Sequence, residues 1–338
     1  MSGVLNSMAR RGSSRWRITL GLAIAAAALA LFPGAGTSRG GGASRAASPT
    51  LGPVKHIHAN GIDIGYRVGG RGPWLVMVMG RGATMAEWDP QLIAQLIRDH
   101  RVLVFDNRGM GTTNNPSPKT LSIQQMAHDT LALTRALHIT AFDLMGWSMG
   151  TYISQQVTLD APRRVSKLIL CAADSGGSHY VKPIPPVEKI LTNPKGVTTA
   201  QLLALSFPPT KAGIRGAIDY MLRVATQPDL VSDSFTVTPR AQKQQQKATA
   251  AWKAPSGGSY NQLPTIKSPT LVMWGNLDLP VRPENDRIIV RRIPHATGKV
   301  FRGAGHAFLF QDAVQVGQSA DAFLKSSAPP GGLGAGDQ

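Results

Sequence analysis

Residues 142–151 read FDLMGWSMGT, a short apolar run that ends in Gly-Trp-Ser-Met-Gly. The run predicts a β-strand and the residues after it suit a helix, so a sharp turn is expected with Ser148 at its apex. The two backbones pass within contact distance at such a turn, which requires small residues at Gly146 and Gly150. The turn would expose the serine hydroxyl and aim the Met149 backbone N–H at a developing oxyanion. Ser148 is therefore the candidate nucleophile.

A serine hydroxyl is a weak nucleophile until a base takes its proton, and G-x-S-x-G also occurs in ordinary glycine-rich turns. A downstream histidine and carboxylate therefore decide the interpretation. His306 follows an apolar pair in residues 300–306, VFRGAGH, and Asp278 ends residues 271–278, LVMWGNLD. Both would lie where a strand ends. The chain order Ser, Asp, His differs from the chymotrypsin and subtilisin orders.

Three further motifs follow predicted strands: MGRG at 79–82, FDNRGMGT at 105–112 and GNLD at 275–278. With them the chain resembles the alpha/beta-hydrolase family from about residue 57 to about residue 324. The resemblance implies an α/β fold with a mostly parallel, doubly wound sheet and a helical cap insertion. It implies that Ser148 is the nucleophile, Asp278 the acid and His306 the base. Asp174 also follows a predicted strand, but the Asp278 loop precedes the histidine by one helix and one strand, as is usual in the family.

The resemblance also implies that the backbone N–H groups of Arg81 and Met149 form an oxyanion hole, with Gly82 as the alternative to Arg81. Many members have His-Gly where this chain has Met-Gly before Arg81, and an apolar residue is common where Arg81 stands. Trp147, Gly80 and Gly82 are expected to line the substrate pocket.

The Arg81 side chain is expected to turn outward and to pair with a carboxylate such as Glu87 or Asp89. A cation close to the triad would oppose protonation of the histidine, which favours this orientation. The alternative is that the guanidinium lines the mouth of the pocket, where it would favour anionic substrates.

Strands and helices alternate along most of the chain, which indicates a mostly parallel sheet. The expected strands are 74–79, 101–105, 142–147, 165–173 and 270–274, and the expected helices include 88–98, 122–137 and 312–323. Alternating residues on both sides of Asn60-Gly61 predict a hairpin over 56–68. Asp106 and Arg108 are expected to pair and hold their loop, and Cys171 is expected in the core.

The alternation stops between residues 175 and 264, where prolines punctuate short helical patterns such as 214–225 and 239–252. Roughly ninety residues between two strands of one sheet exceed an ordinary connection. We expect this segment to be the cap, inserted between core parts 54–174 and 265–328 and lying over the active site.

Composition limits the partners. The chain has 338 residues and 42% apolar content, which suits one large core. The formal charge is +17, but six arginines without any acid lie in residues 1–50, and the other +11 is spread along the chain. Neither a basic stripe with interleaved aromatics nor a nucleic-acid motif is present in the sequence, so we expect no nucleic-acid partner.

The N-terminus reads as an export signal. A basic stretch ends at Arg17 and precedes fifteen uncharged, mostly apolar residues at 18–32. As a helix that run spans about 22 Å, short of the roughly 30 Å hydrocarbon core. Residues 1–36 are expected to be a signal peptide or a membrane anchor, followed by a flexible linker at 37–53, and residues 329–338 to be a disordered tail. An exported protein, secreted or in the cell envelope, is predicted, with a membrane tether through 18–32 if the segment is not cleaved.

The resemblance and the residues together predict a serine hydrolase that cleaves an ester or lactone of a small to medium apolar substrate through an acyl-enzyme. Side chains and backbone fill every role, so neither a metal nor an organic cofactor is implied. The same fold also serves cofactor-free perhydrolases and carbon–carbon hydrolases. A non-catalytic ligand-binding protein of the cell envelope is the alternative from another class. The sequence leaves the oligomeric state open.

Overall fold

The computed structural model describes residues 50–116, 121–194, 196–227, 231 and 234–327. Its centre is an eight-stranded sheet with the order β1-β2-β4-β3-β5-β6-β7-β8. The strands are β1 Lys55–Ala59, β2 Ile62–Gly69, β3 Trp74–Val78, β4 Arg101–Phe105, β5 Phe142–Trp147, β6 Val165–Cys171, β7 Thr270–Gly275 and β8 Ala296–Phe301. The pairs β1–β2 and β2–β4 are antiparallel, and all later pairs are parallel. The expected mostly parallel, doubly wound sheet is confirmed.

Helices cover the sheet and fill the long connection after β6. They are α1 Pro90–Leu96, α2 Ile123–Ala136, α3 Met149–Asp160, α4 Pro185–Leu191, α5 Thr199–Ser206, α6 Lys211–Ala225, α7 Pro239–Lys253, α8 Pro283–Arg292, α9 Phe308–Gln311 and α10 Ala313–Lys325. The predicted helix at 88–98 is shorter than expected, because Asp89 caps its first turn and Pro90 occupies the first helical position.

Both faces of the central parallel strands β3, β5 and β7 are buried, as a parallel sheet requires. Alternate residues of β3 point to opposite sides, so Val76 and Val78 belong to one apolar cluster and Leu75 and Met77 to the other. The first cluster contains residues of α2, α3 and α8, and the second contains residues of α1 and α10. Cys171 is fully buried, as predicted.

The hairpin prediction is confirmed. Strands β1 and β2 pair from Ala59 opposite Ile62, and Asn60 and Gly61 between them have φ values of 51° and 73°. The predicted Asp106–Arg108 pair is wrong. Arg108 donates instead to the Asp129 carboxylate on α2, with Nε 2.8 Å from Oδ2.

The segment expected to form the cap contains α4, α5, α6 and α7. The predicted patterns at 214–225 and 239–252 are the helices α6 and α7, whereas the sequence patterns did not single out α4 and α5. The predicted signal or anchor at 1–36, most of the linker at 37–53 and the tail at 329–338 lie outside the described residues. In the part of the chain that the structure describes, every helix is too short or too polar to cross a membrane.

Candidate active site

Ser148 sits in a strained turn between β5 and α3. Its φ of 54° and ψ of −122° fall in a region that non-glycine residues rarely occupy. The neighbouring glycines explain how the turn closes. A Cβ on Gly150 would lie 2.1 Å from the Val78 carbonyl oxygen, and one on Gly146 would lie 2.4 Å from the Gly150 carbonyl oxygen. Only glycine therefore allows β3, β5 and α3 to meet closely enough to project the serine at the sheet edge.

The structure brings Ser148, His306 and Asp278 into one chain of hydrogen bonds. His306 Nε2 lies 2.9 Å from Ser148 Oγ, and His306 Nδ1 lies 2.8 Å from Asp278 Oδ2. The other carboxylate oxygen accepts from the Val281 backbone N–H at 2.8 Å. With a carboxylate on Nδ1, the imidazole carries its proton there and leaves Nε2 free to accept the serine proton.

The loops that carry the acid and the base touch each other directly. A Cβ on Gly275, at the end of β7, would lie 2.3 Å from the carbonyl oxygens of Ala304 and Gly305. The Leu277 backbone N–H donates to the Ala304 carbonyl at 2.9 Å. Because the loop after β7 is held against the loop after β8, Asp278 lies within reach of the histidine.

Trp147 lines the cavity next to Ser148, as expected, and also contacts the histidine loop. Its Nε1–H donates to the His306 carbonyl at 3.0 Å, and the two rings lie 5.4 Å apart. The residue before the nucleophile thus fixes the backbone of the base. The sequence signalled only the position of this tryptophan, not its hydrogen bond.

Asp174 occupies a different site. It accepts from Tyr152 Oη at 2.5 Å and from the Gly176 N–H at 2.9 Å, and Lys253 Nζ lies 3.3 Å away. Burial and the neighbouring carboxylate raise the pKa of the Tyr152 hydroxyl well above its usual value. Burial opposes the charge on Lys253, but Asp174 and Tyr180 outweigh it, and the pKa of the ammonium is raised. The carboxylate beside His306 is that of Asp278.

The loop after β3 supplies the candidate oxyanion donors. Gly80 packs against the nucleophile turn, since a Cβ there would lie 3.2 Å from Ser148 Cβ. The Gly82 N–H donates to Gln245 Oε1 of α7 at 2.8 Å, and this glutamine is fully buried. Because Gly82 is already engaged, Arg81 is the better candidate for the second donor beside Met149.

The expected outward orientation of the Arg81 side chain is wrong. The two carboxylates expected to pair with it have other partners. Arg223 Nη2 lies 2.6 Å from Asp89 Oδ2, and Glu87 Oε1 accepts from the Thr84 N–H at 3.4 Å. Arg81 instead lines the cavity, and its Nη1 donates to the Leu191 carbonyl of α4 at 3.4 Å. Burial lowers the pKa of its guanidinium.

The triad opens into a cavity of about 690 Å³. Trp147, Ser148 and His306 lie on its core side, and residues of α4, α5 and α7 lie on its cap side. Its basic lining side chains are Arg81, Lys182, Lys243, Lys247 and Lys253. Apolar groups such as Leu202, Leu205 and Val281 line other parts of it. Sequence reasoning missed the lysines, because Lys243, Lys247 and Lys253 lie on α7, a helix whose orientation only the fold defines, and Lys182 lies in the loop before α4.

A family model described as the alpha/beta hydrolase fold matches residues 73–313. The chain belongs to this family. The match covers the sheet from β3 onward, the nucleophile turn, the cap segment and the histidine loop.

Relatives and solved structures agree with that assignment. A protein of Mycobacterium tuberculosis named as a non-heme bromoperoxidase, BpoC, is 38% identical over 112 residues, which is 33% of this chain and 42% of that protein. A protein of Pseudomonas syringae named as a carbamate hydrolase, RutD, is 27% identical over 75% of this chain and 94% of its own length. An alpha/beta hydrolase fold protein from Chitinophaga pinensis superposes with a TM-score of 0.72 at 22% identity, over 81% of this chain and 98% of that one.

Proposed function

We propose that the protein is a serine hydrolase that cleaves an ester or lactone of a small to medium, largely apolar substrate through an acyl-enzyme. The observation that carries the proposal is the continuous hydrogen-bonded chain from Ser148 through His306 to Asp278. The relative named as a carbamate hydrolase supports hydrolysis at a carbonyl group, and that name describes the relative and not this chain.

In the proposed first step, Ser148 Oγ attacks the substrate carbonyl carbon while His306 Nε2 takes the hydroxyl proton. The carbonyl oxygen becomes an oxyanion that accepts from the backbone N–H groups of Arg81 and Met149. Collapse of this intermediate breaks the bond to the leaving oxygen, which receives the proton from His306. Asp278 orients the ring and stabilises the imidazolium.

Water reverses these roles in the second step. His306 takes a proton from the water as its oxygen attacks the acyl carbon, and the bond to Ser148 Oγ then breaks. The serine recovers its proton from the imidazolium and the carboxylic acid leaves. The helices of the cap segment that line the cavity, α4, α5 and α7, would limit access of bulk water.

The decisive experiment is active-site labelling. The purified protein should react with a fluorophosphonate probe and hydrolyse short p-nitrophenyl esters, and Ser148→Ala should abolish both. Ser154→Ala is the matched control, because Ser154 is buried on α3, the helix that follows Ser148, and lies outside the triad. This variant should keep both activities. Labelling that survives Ser148→Ala would refute this nucleophile, and an unlabelled wild-type protein would favour a non-catalytic ligand-binding role.

A perhydrolase is the second candidate, and the name of the mycobacterial relative favours it. In that reaction hydrogen peroxide replaces water as the nucleophile that releases the acyl group, and a peracid leaves. Bromide oxidation that requires both acetate and hydrogen peroxide, and that Ser148→Ala abolishes, would support this activity. Its rate compared with p-nitrophenyl acetate hydrolysis would rank the two candidates.

We also propose that the protein acts outside the cytoplasmic membrane, on the basis of the basic and apolar residues 1–32. Cell fractionation followed by N-terminal sequencing tests the location. Cleavage near Gly36 or membrane association supports export, whereas a cytoplasmic protein with an intact N-terminus contradicts it.

A further inference from the structure

The cavity wall carries more positive charge than its surroundings neutralise. Lys253 lies 3.3 Å from Asp174, and Lys182 lies 3.8 Å from Glu188. Three other lining cations, Arg81, Lys243 and Lys247, have no carboxylate within 4.0 Å among the described residues. A cavity lined by uncompensated cations attracts an anion more strongly than an open surface does, because its low-dielectric walls concentrate the field.

Of these cations, Arg81 follows the glycine that packs against the nucleophile and therefore bears most directly on substrate binding. Its backbone follows Gly80, which packs against Ser148, while its guanidinium reaches the Leu191 carbonyl of α4 at 3.4 Å. That single long contact engages one of the five N–H groups of the guanidinium. A charged donor group that is partly buried without an acidic partner is costly, and a bound carboxylate would relieve the cost through paired hydrogen bonds. The planar fork of arginine matches a carboxylate better than a lysine does.

Helix α7 adds further positive charge to the same cavity. Lys243, Gln246, Lys247 and Lys253 recur at helical spacing and all line it. The helix is anchored to the oxyanion loop by the hydrogen bond from the Gly82 N–H to the buried Gln245. The lysines therefore have a fixed relation to Arg81 and to the nucleophile.

We infer that the site selects esters or lactones that carry a carboxylate, which Arg81 binds directly while Lys243 and Lys247 attract it. This inference rests on the proposed hydrolase function and specifies its substrate further. The ester or lactone would have a largely apolar chain and one negatively charged end. The apolar side chains of Leu202, Leu205 and Val281 then contact the carbon chain between the two ends of the substrate.

Two matched substrates test the inference: mono-p-nitrophenyl adipate, which carries a free carboxylate, and its neutral methyl ester. Wild-type protein should have the higher kcat/KM for the anionic substrate. Arg81→Met should lower that kcat/KM by about 10- to 100-fold more than the value for the neutral ester, on the scale of a lost hydrogen bond to a charged group. The substitution keeps the backbone N–H at residue 81, so it separates the side chain from oxyanion binding.

Arg71→Met is the matched control, because it removes the same charge far from the cavity. Arg71 is exposed in the turn before β3, whereas Arg81 follows the other end of that strand. It should leave the preference unchanged. Equal losses for both substrates in Arg81→Met would overturn the inference and assign Arg81 to holding α4 against the core. A wild-type preference for the neutral ester would overturn it as well. Thermal unfolding of each variant verifies that it is folded.

A binding measurement separates this inference from the proposed function. Monomethyl adipate and dimethyl adipate are titrated into Ser148→Ala protein by calorimetry, with and without Arg81→Met. Binding of the monoanion that Arg81→Met weakens at least tenfold supports the anion site even if wild-type protein is neither labelled nor active. Labelling and turnover without any preference for the monoanion retain the hydrolase and reject the anion site.

Discussion

The core around β5 and the cap segment between β6 and β7 are held by different kinds of contact. In the core, glycines let backbones touch, as where Gly150 lies under the Val78 carbonyl, and the surrounding side chains are apolar and fully buried. The cap segment also contributes apolar side chains to the core clusters, such as Trp252 and Phe207. Long polar side chains add separate connections to the core, including the Arg223–Asp89 ion pair and the Gln245 bond to Gly82. The nucleophile turn therefore tolerates almost no change, whereas part of the cap's attachment depends on single polar pairs.

The largest effect is expected from a comparison of the two carboxylates in the loops after β7 and β6. Asp278 belongs to the core and contacts His306, whereas Asp174 binds Lys253 of the cap helix α7. Asp278→Asn should lower kcat by about ten-thousand-fold, the scale seen when a triad carboxylate is neutralised. Asp174→Asn should lower it far less, measured on the same p-nitrophenyl ester. A severe loss in a folded Asp174→Asn protein, with a mild one in Asp278→Asn, would reverse the assignment of the acid.

The second test places the same substitution in a core helix and in a cap helix. Gly150→Ala would put a Cβ 2.1 Å from a backbone oxygen of β3, and we expect it to lower the free energy of unfolding by more than about 4 kcal/mol or to prevent folding. Gly216→Ala on α6 would place its Cβ 2.6 Å from Gln311 Cγ and 3.3 Å from Gln311 Cα, so the closest clash is with a side chain and not with a backbone oxygen. Its effect should be smaller, about 1 to 3 kcal/mol, because the glutamine side chain can shift in part and alanine favours the helix. Urea unfolding of both variants measures the difference, and equal losses would contradict it.

The third test removes one polar connection between the two regions. Arg223 donates to both oxygens of the buried Asp89 carboxylate, at 3.1 Å and 2.6 Å, and to the Phe310 carbonyl at 2.9 Å. Arg223→Met leaves that carboxylate buried without its cation, which should cost about 3 to 5 kcal/mol in urea unfolding. Arg215→Met is the control, because Arg215 is an exposed residue of the same helix with a half-exposed partner, Asp219. It should cost less than about 1 kcal/mol. A loss no greater than that of the control would mean that this ion pair does not fix the cap.

The smallest effect concerns pH. Burial raises the pKa of Asp143 on β5 to about 6. A carboxyl whose pKa is higher in the folded protein than in the unfolded chain reduces stability as pH rises between roughly 4 and 6. Asp143→Asn should therefore match the wild type near pH 4 and exceed it above pH 6, by at most about 3 kcal/mol for a shift of two pKa units. The half-exposed Asp219 of α6 provides the contrast, since Asp219→Asn should change stability by less than about 0.5 kcal/mol throughout. Urea unfolding curves of all three proteins from pH 4 to 8 measure these differences. The prediction is contradicted if the free energy of unfolding of the wild type rises relative to that of Asp143→Asn across this range.

The sequence predicted the parts of the molecule whose physics is local. The nucleophile turn needs glycine two residues to either side of Ser148, and that requirement is visible in five consecutive residues. The hairpin needs only Asn60-Gly61, and the sheet follows from the alternation of strands and helices. His306 and Asp278 were found because each follows a strand, and parallel strands end at one edge of the sheet.

The contacts that were missed join residues far apart in the chain. Gln245 reaches Gly82 across 163 positions, and no pattern near either residue indicates this bond. Arg108 pairs with Asp129 and not with Asp106, which is nearer in sequence, because Asp106 already accepts from the Met85 and Thr112 N–H groups. Arg81 turned inward because its expected carboxylates were engaged elsewhere. Such competition between partners is a property of the folded chain.

The hydrogen bond between Gly82 and Gln245 makes one backbone amide a built-in reporter of cap motion. The N–H at Gly82 is covered as long as α7 stays in place, and it meets water only when Gln245 moves away. Its hydrogen–deuterium exchange rate therefore measures how often α7 moves away from the core, independently of any substrate. If this movement limits product release, we expect the exchange rate and kcat to change together as temperature is varied.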